Sequence, residues 1–129
     1  PGGAGTRTLI KDTPFLKNLR RLSEEAAFVL SVCTGSALLA GSGALEGKRA
    51  TSNKRAFNWV VSTSDKVHWI RKARWVHDGK FYTSSGISAG MDMTLSFIRD
   101  RFAAPAAERI AGRMEYIWNK DPDIDFFGS

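Results

Sequence analysis

Residues 27–41 read Ala-Phe-Val-Leu-Ser-Val-Cys-Thr-Gly-Ser-Ala-Leu-Leu-Ala-Gly, and no other part of the chain restricts the fold as tightly. Phe28, Val29, Leu30 and Val32 form a short apolar run that fits a buried strand. The run stops at Cys33, the only cysteine. Ser36 to Ala40 then read as helix, with Gly41 placed to end it. Ser31 and Gly35 flank the cysteine two residues away on either side. Small residues there permit the sharp, strained strand-to-helix turn that exposes a nucleophile. The helix N-terminus that follows favours a negatively charged thiolate. The competing reading is a buried structural cysteine packed as a small hydrophobe; the small neighbours favour the reactive one.

The rest of the chain reads as alternating elements. Thr13 caps a helix with Pro14 at its first position, and Phe15, Leu19 and Leu22 recur at helical spacing. Leu45 to Lys48 form a turn into an extended piece, Arg49 to Ser52. A helix is expected over Lys54 to Val61, with Phe57, Val60 and Val61 inward, and a strand over Val67 to Ile70. Arg74 to Thr83 reads as a hairpin with a type I′ turn at Asp78-Gly79. Ser84-Ser85-Gly86 opens a long helix whose buried stripe is Met91, Leu95, Ile98 and Phe102. Pro105 starts another helix, with Ile110, Met114 and Ile117 on one face. Asn119 to Ser129 reads as a polar tail. Strands alternating with helices predict an α/β domain with a largely parallel sheet. Sites in such sheets lie at the carboxyl ends of strands, where Cys33 falls.

Composition narrows the function classes. One cysteine in 129 residues excludes an internal disulfide and makes a reducing cytoplasm the default. No apolar run is long enough for a helix to span a bilayer. The net charge is +6, but the basic residues are dispersed and carry no helix-turn-helix or zinc-finger spacing, so no nucleic-acid partner is expected. His68 and His77, the only histidines, do not pair with Cys33 at a ligand-like spacing, so no metal is expected. No cofactor motif is present.

Four segments together resemble the ThiJ/PfpI family, whose fold is similar to class I glutamine amidotransferases. They are Pro1-Gly2-Gly3, Ser31-Val32-Cys33-Thr34-Gly35, Gly47-Lys48-Arg49-Ala50-Thr51, and Thr83 through Asp92 with its Gly86-Ile87-Ser88-Ala89-Gly90-Met91-Asp92 helix start. The resemblance implies a flavodoxin-like three-layer sandwich. In the family a strand and helix precede the Pro-Gly-Gly loop and supply a Glu or Asp that partners the cysteine. This chain opens on that loop. It is therefore expected to be the C-terminal part of a single domain, the acid lying on a missing or companion N-terminal segment. A homodimer is implied as well.

Within the family, Cys-Thr-Gly resembles isonitrile hydratases and the sensing domains of some transcription regulators. Thr34 stands where family proteases carry histidine, which counts against peptidase chemistry. The implied reaction is attack of the Cys33 thiolate on the terminal carbon of a small isonitrile, followed by hydrolysis to an N-substituted formamide. The backbone N–H groups of Gly3 and Thr34 are the expected donors to developing negative charge. The Thr34 hydroxyl either meets substrate or bonds only backbone. Gly86, Ile87 and Ser88 either line the pocket or pack a tight helix start, and Asp92 is expected to be structural. The alternatives to a hydratase are a cysteine redox or ligand sensor and a glyoxalase- or deglycase-like carbonyl activity.

Overall fold

A computed structural model describes residues 1–129. Six helices and five strands follow in the order α1 (Thr6–Leu9), α2 (Thr13–Glu25), β1 (Val29–Val32), α3 (Gly35–Gly41), β2 (Arg49–Ala50), α4 (Phe57–Val61), β3 (His68–Trp69), β4 (Trp75–Asp78), β5 (Phe81–Ser84), α5 (Ile87–Phe102) and α6 (Ala104–Arg113). β1 and β5 run parallel, Val29 opposite Phe81 and Val32 opposite Ser84. β4 joins the other side of β5 in an antiparallel hairpin, and β2 and β3 form a second, parallel pair.

Alternation along the strands makes the layers, because successive side chains leave a strand on opposite faces. Val29 and Phe81 pack with Leu39 and Ala40 of α3. Leu30, Val32 and Tyr82 pack on the other face with Met93 and Phe97 of α5. Helices thus cover both faces, which is why β1 reads as a nearly continuous apolar run rather than an alternating one. A third cluster joins Leu95 of α5 to Ala107 and Ala111 of α6 and to Trp118. β1 is an edge strand.

The differences from the sequence reading are local and each has a cause. Helix α1, unforeseen, is a single turn. Asp12, not Thr13, caps α2: its side chain accepts from the Phe15 N–H at 3.0 Å, while Thr13 is already helical. Leu22 and Val61 are exposed rather than inward. Gly41 continues α3; Gly43, at φ 85°, turns the chain after it. Asp78 pairs with Phe81, so the hairpin turns on Gly79-Lys80. Only Gly79 of these has positive φ, which excludes the type I′ turn that needs two.

The single stripe expected on α5 is two faces. Gly90 and Met93 meet the sheet, and Leu95 meets α6. A Cβ on Gly90 would lie 2.8 Å from Val32 Cγ1, so this glycine lets α5 approach β1. Met91 and Phe102 are left outside. On α6 the small Ala107 and Ala111 are inside, because they let α5 come close, and Ile110 is exposed, as are Met114 and Ile117 beyond the helix end. The expected polar tail is packed: the Pro122 carbonyl accepts from Arg74 N–H at 2.7 Å, and Asp125 is buried.

Candidate active site

Cys33 follows β1 directly and has φ 58°, a left-handed conformation that costs a non-glycine residue about 1–2 kcal/mol. Surrounding bonds hold it there. Its N–H donates to the Ser84 and Ser85 carbonyls at 3.2 and 3.1 Å, at the end of β5. Its carbonyl accepts from Ser52 Oγ at 2.8 Å and Ser36 Oγ at 3.3 Å. The thiol is free and partly exposed. The strand-to-helix elbow read from the sequence is therefore present.

The Pro1-Gly2-Gly3 loop lies against this elbow. A Cβ on Gly2 would fall 2.6 Å from the Thr34 nitrogen, and one on Gly35 would fall 3.0 Å from the Pro1 carbonyl oxygen. Thr34 ties the loop down: its Oγ1 accepts from the Gly3 N–H at 3.0 Å and from Thr6 Oγ1 at 3.2 Å. The structure gives the partners of two groups named from the sequence. The Gly3 N–H, expected to face developing charge, points at Thr34 Oγ1. The Thr34 hydroxyl, 8% exposed with its residue, is engaged with the loop and α1. The Thr34 N–H makes no hydrogen bond within the chain, so it is the donor left open beside Cys33.

Gly86, Ile87 and Ser88 begin α5 across from the elbow, and they separate. Ile87 is 83% exposed and, with Val32, Met91, Ile110 and Met114, walls an apolar groove of about 320 Å³. Gly86 and Ser88 do not line it. Gly86 instead leaves room for the Asn53 amide, which would sit 3.1 Å from a Cβ there. The Ser88 carbonyl faces the Tyr116 hydroxyl at 3.4 Å. Asp92 is structural as expected: its carboxylate is wholly buried on Arg74, Tyr116 and the Asn119 N–H.

Residues the sequence reading passed over stand behind the elbow. Lys54 is buried, with its ammonium donating to Thr51 Oγ1, Ser52 O and Ala73 O at 2.8, 3.1 and 2.7 Å. Asp125 Oδ2 is 3.7 Å from its Nζ. The available signal was the Thr51-Ser52-Asn53-Lys54 cluster after the extended piece; nothing local says that its lysine turns inward.

Burial lowers the Lys54 pKa from 10.5 to about 8; Asp125 opposes that shift and Arg71 adds to it. The sign for stability follows. Between pH 8 and 10 the unfolded chain keeps a proton that native Lys54 has shed, so this group's contribution rises with pH. Tyr82, pushed up to about 12 by burial and by Asp100, and Tyr116, also raised, act oppositely but only above their ordinary value of 10. The unfolding free energy of the protein, measured relative to Lys54→Met, is therefore expected to rise by roughly 2 kcal/mol from pH 8 to pH 10. A flat difference in urea titrations across that window contradicts it.

Residues 1–100 match the DJ-1/PfpI family model, and the chain belongs to the DJ-1/PfpI family. It is 36% identical over 116 residues to the isonitrile hydratase of Pseudomonas putida, covering 90% of this chain and 50% of that protein. Among solved structures, a ThiJ/PfpI family protein from Pseudomonas syringae superposes with TM-score 0.78 at 29% identity, covering 97% of this chain and 50% of that one. Drosophila melanogaster DJ-1beta has the same fold, with TM-score 0.74 at 18% identity over 92% of this chain and 62% of its own. The chain spans about half the length of the curated relative it matches.

Proposed function

We propose that this chain carries the nucleophile of a cysteine-dependent hydratase of the lyase type, which converts small isonitriles to N-substituted formamides. The observation that carries the reading is the 36% identity to an isonitrile hydratase, across a segment that includes the Cys33-Thr34-Gly35 elbow. The Cys33 sulfur attacks the terminal isonitrile carbon while that carbon takes a proton, giving a thioimidate. Water adds to the same carbon, the C–S bond breaks, and the formamide leaves with the thiol restored. The Thr34 N–H is the donor available to the oxygen that becomes negative during water addition.

The proton donor is proposed to be an acidic residue on a companion segment N-terminal in the family order. On this reading residues 1–129 are the C-terminal part of one domain, and the complete protein is a cytoplasmic homodimer that takes a small-molecule substrate without a cofactor. The free edge of β1, with Ser31 Oγ buried and unpartnered, is a place for such a segment to pair.

The test is formamide release from methyl or cyclohexyl isonitrile by the whole protein and by its Cys33→Ser variant. The variant is expected to lose at least about 10³-fold in kcat. Absence of formamide from either substrate, with Cys33 still alkylated by iodoacetamide, overturns the hydratase reading in favour of a redox sensor or a glyoxalase-like carbonyl activity.

A further inference from the structure

We propose that Lys54 is the positioning residue of the Cys33 elbow, acting through Ser52 and held in place by Asp125. The Lys54 side chain is 5% exposed and that of Asp125 is 2% exposed, so the pair lies in the interior. An ammonium has three protons to donate. Here three acceptors surround it, and two of them, Thr51 Oγ1 and Ser52 O, belong to the segment just after β2. The third, the Ala73 carbonyl, precedes β4. Thr51 is further fixed because its N–H donates to Thr83 Oγ1 at 2.9 Å and its hydroxyl donates to Ile70 O at 2.7 Å. The lysine therefore clamps residues 51–52 to the sheet.

What the clamp presents is Ser52 Oγ, and its acceptor is the carbonyl of Cys33 at 2.8 Å. That carbonyl and the Thr34 N–H belong to one peptide plane and point in opposite directions. Fixing the carbonyl from behind thus aims the Thr34 N–H away from Ser52. With the Cys33 N–H held by the Ser84 and Ser85 carbonyls, it also fixes the second peptide plane flanking a residue at φ 58°, a conformation that persists only where its surroundings over-determine it. Asp125, the counter-charge, comes from the segment after Trp118, whose path is set by the Asp125 N–H donating to Lys72 O at 2.8 Å and by Pro122 O on Arg74 and Trp75. The terminal segment is thereby connected to the cysteine through one lysine and one serine.

The inference rests on Cys33 being the nucleophile, and its test does not need the isonitrile reaction. In the whole protein the iodoacetamide alkylation rate of Cys33 is measured for wild type, Ser52→Ala, Lys54→Met and the double variant. The backbone carbonyl shift of Cys33 and the amide shift of Thr34 are read by NMR in the same set. Each single variant is expected to slow alkylation by about tenfold, the scale on which small misplacements of a reacting group act, and to move both shifts. The double variant is expected to be no slower than Ser52→Ala, because Lys54 acts through that serine. Multiplying effects in the double variant, or a Lys54→Met protein with unchanged alkylation and shifts, overturns the proposal. Should Lys54→Met fail to fold, Asp125→Asn takes its place in the same cycle and is read the same way.

Discussion

Asp92→Ala is expected to cost about 3–5 kcal/mol in the unfolding free energy of the protein, measured by urea denaturation. The carboxylate is fully buried, and Arg74, its ionic partner, is 13% exposed at 2.7 Å. Arg74 Nε donates to the same oxygen at 2.8 Å, while the Tyr116 hydroxyl and the Asn119 N–H donate to the other, both at 2.9 Å. Alanine deletes the acceptor of all four bonds at once. The guanidinium is then left in the interior without a counter-charge, which costs far more than the net worth of the pair. The three partners lie beside β4 and on the chain beyond α6, so the carboxylate also joins those segments to α5. A typical domain has only about 5–15 kcal/mol in total, so the loss removes a large share of the stability. A loss below about 1 kcal/mol would show that Arg74 finds another partner and that the network is dispensable.

Gly2→Ala is expected to lower the reactivity of Cys33 and the proposed turnover by about 10²-fold, with little change in urea midpoint. The added Cβ would lie 2.6 Å from the Thr34 nitrogen, 2.7 Å from its Oγ1 and 3.0 Å from Cys33 Cβ. The first of these is backbone and cannot swing away. The loop must lift, breaking the 3.0 Å bond from the Gly3 N–H to Thr34 Oγ1 and disturbing the open N–H of Thr34. Displacement of a donor or nucleophile by about 1 Å is enough for a loss of this size. Stability changes little because Pro1 to Gly3 lie outside the three core clusters. Alkylation kinetics and kcat at saturating isonitrile check the prediction; wild-type rates in both would mean that the loop does not constrain the elbow.

The elbow was legible from one stretch of chain because its causes are local. An apolar run, a cysteine, small residues on each side and a helical pattern are all within fifteen residues, and each demands the same turn. The hairpin was legible for the same reason, with Asp78-Gly79 between apolar runs, although the exact turn residues shifted by one. The α/β class followed from the alternation of such segments.

Which side chains face inward was less legible. On α5 the expected stripe included Met91 and Phe102, and both are exposed. Periodicity finds a helix, but the orientation of that helix depends on what packs against it: here the Gly90–Val32 approach and the small α6 face turned it. Thr34 could be named but not assigned, because its hydroxyl partners are Gly3 and Thr6, some thirty residues away in sequence.

The sequence by itself determined the strand–cysteine–helix turn, the order of elements and the family to which they belong, since these depend on neighbouring residues and on short motifs. Only the tertiary structure decided that Ser52 braces the Cys33 carbonyl, that Lys54 clamps Ser52, and that Asp125 of an apparently polar tail is the buried counter-charge. The serine contact spans 19 positions and the Lys54–Asp125 pair 71, and the lysine turns inward only because Ala73 and Asp125 meet it there. A charged residue in a sequence reads as solvated, and it goes inside only when the fold supplies enough partners to replace water.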